Sequence, residues 1–238
     1  MDNAAYITLT RMAGLKREMG VLAHNIANAA TTGFRREAMV FSEFVVSAGR
    51  GEASMSMGFG NTRLTYQQPG AMTMTGGSFD LAIEGEGFFQ LETPQGPRLT
   101  RAGMFTPNAA GELVNMDGHR LLDAGGAPIF VPPDARSIVM ARDGTFSADG
   151  QPFAQVGLVR PVDPVTMTRS AGTLFAVDGD LEPVDAAMIR QGFLEESNVD
   201  PVLELTRLIE VQRAYEQGQR MLDREDDRIK NVIQTLGK

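Results

Sequence analysis

Between Asp200 and Leu236 the apolar residues keep helical spacing. Leu208, Tyr215, Leu222, Ile229 and Leu236 recur at every seventh position, which puts them on one line of an α-helix. Asp200 followed by Pro201 predicts the start of that helix, a capping side chain and then a residue with no N–H to satisfy. Gly237 predicts its stop. The second seam holds Gln212, Gln219 and Asp226 before Ile233, so the stripe is narrow and partly polar. Gly218 weakens the helix by about 1 kcal/mol, and Glu216 with Arg220 and Asp226 with Lys230 support its outer face. A helix of about 54 Å at 1.5 Å per residue with so narrow a stripe cannot hold itself together. The pattern predicts partners.

Asp2 to about Ala30 predicts a second long helix. Ala5, Met12, Met19 and Ile26 repeat at seven, with Leu15 and Leu22 on the same face. Gly14 and Gly20 weaken it. It ends in the run Asn25 to Arg35, where Gly33 suits the left-handed position past a helix end and Phe34 can fold back on it. Asn25 and Asn28 are candidates to bond the turn backbone or a neighbouring subunit. Two such helices at opposite ends of a chain are expected to pair, through Met12, Leu15, Met19, Leu22 and Ile26 on one and Leu208, Tyr215, Leu222, Ile229, Ile233 and Leu236 on the other.

The middle loses helical period. Residues 36–75 and 186–197 predict an extended arm, with a mobile Gly/Ser/Met loop at Arg50–Gly60. Residues 76–185 predict a β domain: Phe79–Ile83, Phe88–Leu91, Ile129–Val131, Ser137–Met140 and Gln155–Val159 are separated by turn residues. Asp117-Gly118, Asp143-Gly144 and Asp149-Gly150 are hairpin signals, and short strands at this spacing suggest a sandwich or open barrel. The expected fold class is α+β, in which long N- and C-terminal helices (residues 1–35 and 198–238) pair as a coiled-coil-like domain with an inserted antiparallel β domain.

Composition narrows the chemistry. The chain has 238 residues, a net charge of −8 and no Cys, which argues against a nucleic-acid surface and excludes disulfides and thiolate metal sites. The N-terminus lacks a signal-peptide pattern, and no run is long enough to span a membrane. Gly85-Glu86-Gly87 leads into a strand and is expected to be a turn. Asp178-Gly179-Asp180 misplaces its glycine for a calcium loop. His24 and His119 sit in no metal-binding spacing. Asp80, Glu84 and Glu86 fit a solvated hairpin edge better than a paired-carboxylate site. Met55-Ser56-Met57 and Met72-Thr73-Met74 fit packing better than Cu(I) binding. No catalytic residue, metal or cofactor is expected.

Four stretches, spread in order along the chain, carry a resemblance. They are Asn25–Arg35; Gly77–Phe89; Leu99–Phe105 with Gly111–Val114; and Gly192–Asp200 with Gln212–Glu216. Together they resemble the bacterial flagellar axial proteins of the rod and hook, and the short chain with its opening Asn3–Met12 is most similar to the proximal rod members. The resemblance implies a structural, non-enzymatic subunit of the basal-body rod, in the periplasm. It implies export through the flagellar type III apparatus without signal cleavage, and assembly with copies of itself and other rod proteins into a helical tube. That tube would transmit torque and surround the export channel, with the terminal helices lining it. A distal rod or hook-type subunit, a secreted adhesin and a periplasmic binding module are the alternatives.

Overall fold

A computed structural model describes residues 2–46, 55–184 and 187–236. The chain divides into two compact units, one of residues 1–29, 36–67 and 199–238, the other of residues 30–35 and 68–198.

In the first unit, helix α1 (Asp2–Ala27) is followed by an antiparallel hairpin of β1 (Glu37–Val46) and β2 (Met55–Thr65), and α2 (Pro201–Leu236) completes it. Asp200 caps α2, its Oδ1 accepting from the amides of Val202 and Leu203 at 2.9 and 3.2 Å. The helices run antiparallel: Asn25 bonds Glu204, Arg207 pairs with Glu18, and Thr8 reaches Met221. Leu15, Leu22 and Val211 form the buried centre, with Met19, Leu208, Ala214 and Tyr215 against it. α1 packs on β1 and β2 as well as on α2.

The second unit is β-rich. In chain order it holds β3 (Met72–Met74), β4 (Leu81–Glu84), β5 (Phe88–Thr93), β6 (Gly96–Thr100), β7 (Thr106–Pro107), β8 (Leu113–Val114) and β9 (Arg120–Leu121). Then come β10 (Ile138–Met140), β11 (Thr145–Ala148), β12 (Gln151–Gln155), β13 (Leu158–Pro161), β14 (Met167–Ala171), β15 (Leu174–Val177), β16 (Leu181–Pro183), β17 (Met188–Gln191) and β18 (Phe193–Glu195). The main sheet runs β14-β15-β6-β5-β9-β8-β7, with β13 pairing β5 and β16; β10-β11-β12 form a second sheet, and β17 pairs β4 while β18 pairs β3. All pairs are antiparallel. The three Asp-Gly pairs turn β8 into β9, β10 into β11 and β11 into β12. At the last, Asp149 and Gly150 both take positive φ, as a type I′ turn requires. Leu81, Phe89, Leu91, Leu113, Leu121, Ile129 and Phe146 are buried together at its centre.

The expected fold class is therefore corrected. The described chain is two helices and a large antiparallel β-rich body, not a coiled-coil domain with one β insertion. The physical reason lies in α1, which divides its buried surface between α2 and a β-hairpin, so a two-helix seam does not describe its packing. β-structure also occurs in both units. Residues 37–46 and 55–65 form that hairpin where the sequence suggests an arm. Of the expected mobile loop, Arg50–Ser54 lies outside the described residues, while 55–60 belong to β2. Gly237 also lies outside them.

Candidate assembly surface and its buried supports

The helix pair covers one part of the heptad line and leaves another bare. Met12, Leu15 and Leu22 are buried, and Met19, Ile26, Leu208, Tyr215 and Leu222 are half-buried. Gly218 admits Met12, since a Cβ there would sit 2.8 Å from Met12 Cγ. Farther along α2 the same line emerges: Ile229 is 48 %, Ile233 64 % and Leu236 82 % exposed. Tyr6, Leu9, Leu203 and Met221 are exposed as well. No side chain of the line past Leu222 is buried, and neither are the polar positions Gln212, Gln219 and Asp226. Apolar side chains left in water on successive turns of one helix are the feature expected of a docking face.

Buried polar residues hold the helix pair in register. Asn25 is fully buried; its Nδ2 donates to the Glu37 carbonyl at 2.7 Å and to Glu204 Oε2 at 2.9 Å, and its Oδ1 accepts from the Glu37 amide at 3.0 Å. One amide thus ties α1 to the start of β1 and to the first turn of α2. Arg36 pairs with the other oxygen of Glu204 and lies over the Tyr66 ring. Asn28 donates to the His24 carbonyl at the end of α1. Glu204, Glu37 and Val211 are buried residues of this unit that the sequence pattern does not reveal. Charged residues inside a helical or strand run look solvated, and Val211 lies off the heptad line.

The turn after α1 belongs to the β-rich unit. Gly33 takes φ +69°, and a Cβ on it would fall 2.2 Å from the Ala102 amide nitrogen, so only glycine fits. Its N–H donates to the Glu195 carbonyl at 2.7 Å. Phe34 is fully buried with the Arg169 guanidinium 4.3 Å above its ring. Beside it, Glu195 (1 % exposed) receives Arg35 Nη2 at 2.8 Å and Arg101 Nη1 at 3.2 Å. Arg101 also donates to the Gly85 carbonyl at 2.7 Å. Burial pulls the Arg35 pKa down to about 10, with Arg101 adding to the fall and Glu195 opposing it. Burial lowers Arg101 too, again against Glu195. Arg35, Arg101 and Glu195 come from three of the stretches that carry the resemblance, so those stretches converge on one ion cluster.

The candidate catalytic and metal residues are engaged otherwise. Asp80 accepts from the Thr75 hydroxyl, Glu84 pairs with Arg190 and Glu86 with Arg160. Among the described residues no group of His, Asp and Glu is arranged to hold a metal ion. Met72 and Met74 lie in β3 against β18; the side chains of Met55 and Met57 lie outside the described residues.

Two family models match: the C-terminal region of the flagellar basal body rod FlgEFG proteins over residues 190–235, and the D1 domain of the flagellar hook proteins FlgE/F/G over 82–148. The chain is 41 % identical to the flagellar basal-body rod protein FlgF of Caulobacter vibrioides, covering all of this chain and 99 % of that one. It is 37 % identical to the FlgF protein of Mesorhizobium japonicum at the same coverage. The rod protein FlgG of Bacillus subtilis is 28 % identical, over 98 % of both chains.

Proposed function

We propose a function from one premise: the chain belongs to the flagellar basal-body rod protein family, and within it to the FlgF type. It is a structural subunit of the rod, in a family of structural proteins rather than enzymes, located at the flagellar basal body, where rod proteins assemble with other rod and hook components.

The finer reading is that the subunit joins copies of itself and other rod proteins in a helical tube that transmits torque and surrounds the export channel. The surface doing so is the heptad line of α2, continued by the exposed residues of α1. The observation that carries this is the emergence of Ile229, Ile233 and Leu236 into solvent on a helix whose earlier turns half-bury the same line. Burying three such side chains against neighbours would contribute roughly 1.5–3 kcal/mol each, repeated at every contact of a helical array. We further propose export through the type III apparatus with no signal cleaved. α1 is half of the helix pair, so its removal would leave α2 uncovered.

Ile233→Asp tests the reading. The monomer should keep its melting temperature within about 1–2 °C, because an exposed substitution changes stability little. Basal bodies from cells carrying the variant should lack a complete rod, and the cells should not swim. Leu222→Asp, half-buried, should fail in the same way with some loss of monomer stability. Normal rods in either variant would exclude this line as the assembly surface.

A further inference from the structure

The β-rich unit receives its chain at Ala30, releases it at Arg35, takes it back at Gln68 and releases it again at Asn198. Three of these positions meet. Arg35 Nη1 donates to the Gln68 carbonyl, and Asn198 Nδ2 donates to the same oxygen at 2.7 Å. The Asn198 amide donates to the Phe34 carbonyl at 3.4 Å. Glu195 forms an ion pair with Arg35 and accepts from Arg101 and, at 3.1 Å, from the Gly70 amide, while its carbonyl accepts from Gly33. Gly70 is pressed so closely that a Cβ would fall 2.0 Å from the Glu196 carbonyl. Arg169 donates to the Arg35 carbonyl at 2.6 Å.

As core stabilisation this arrangement is poor. Two buried guanidinium groups share one carboxylate, which leaves a net positive charge out of water, and Arg35 Nε has no hydrogen-bond partner among the described residues. Apolar side chains of the same volume would serve stability at least as well. What the charges add is direction and position, because the rigid planar fork of a guanidinium accepts few geometries. The apolar core of the unit, around Leu81, Phe89 and Phe146, is built from other residues.

We infer that Arg35, Glu195 and Asn198, gathered on the backbone of Gln68 and Gly70 and backed by Arg101, form one ionic knot that locks together the points where the chain enters and leaves the β-rich body. It is a positioning device: pull on any one of these strands and the load reaches the other three through Glu195 and the Gln68 carbonyl. The inference does not depend on the rod reading, since it concerns one unit by itself. It predicts that breaking the knot frees the strand ends while the sheets stay closed.

Amide hydrogen exchange on the full-length chain tests this. In Glu195→Gln the amides of residues 31–35 and 68–72 should exchange faster by on the order of 100-fold, while those of β5 and β10–β12 stay within about three-fold of the parent. If Glu195→Gln does not accumulate as folded protein, Asn198→Ala decides: loss of its bond to Gln68 should raise exchange at residues 68–72 by roughly ten-fold with the same sheets unchanged. A uniform rise across the body would make the cluster ordinary core, and no rise at the strand ends would mean the knot holds nothing; either result overturns the inference.

Discussion

Asn25 shows how much one uncharged side chain can organise. Its amide satisfies the Glu37 amide and carbonyl and one oxygen of Glu204, so three elements meet on one side chain. Asn25→Ala should cost about 3 kcal/mol, because it strands buried partners. Asn25→Asp should be worse at pH 7, since a second carboxylate would then face Glu204 Oε2. A neighbouring anion raises the pKa of the introduced Asp in the folded state; the folded state then binds more protons than the unfolded one, and the lost stability should return as pH falls. Denaturant midpoints for both variants at pH 7 and pH 5 check this, and equal midpoints at the two pH values would count against the Asn25–Glu204 contact. The sequence marks Asn25 as a helix-end residue. It does not mark Glu204, because hydrophobic patterning is blind to a charge that is buried with its partner.

At the scale of elements, the exit from α1 and the far end of α2 are governed by different physics. Gly33 turns the chain where a side chain would collide with backbone at Ala102, and backbone cannot rotate away as a side chain can. Gly33→Val adds that clash to the strain of a branched residue at positive φ, roughly 1–3 kcal/mol from the backbone conformation alone. Thr31→Ala should be nearly silent. Melting temperatures of the two purified variants, with swarm diameters of cells carrying them, should separate widely; similar values would remove the argument. Sequence locates the glycine through its place after a helix, and locates α2 through its cap and its period. It reads β1 and β2 only as an extended arm, since Glu37 to Val46 shows no clean alternation and a hairpin whose partner lies beyond a Gly/Ser/Met stretch leaves no local signal.

At the scale of the molecule, the assignment of residues 30–35 to the β-rich unit sets where that unit can be trimmed. Limited proteolysis of the full chain should remove the exposed distal turns of α2 first and converge on a fragment that begins near Ala30 and ends near Asn198, with residues 30–35 and 68–198 its resistant parts. A fragment that begins after Arg35 would lack Gly33, Phe34 and Arg35, and with them the partners of Glu195 and Arg169. Its appearance as the stable end product, identified by mass spectrometry, would show that the segment is not part of the unit.

By itself, the sequence determined what local physics can dictate: two long terminal helices, the cap at Asp200, the Asp-Gly hairpins and the glycine at 33. It also carried, in four ordered stretches, the resemblance that places the chain among flagellar rod proteins. Tertiary structure decided the rest. That α1 shares its surface with a hairpin, that Val211 and Glu204 are buried while Ile233 is bare, and that Arg35, Arg101 and Glu195 converge are all facts about which distant segments meet. Seven-residue spacing says that a line of side chains lies on one face; it does not say how far along that line a partner extends. A buried charge, likewise, differs from a surface charge only in its neighbours, and those come from parts of the chain that no local pattern connects.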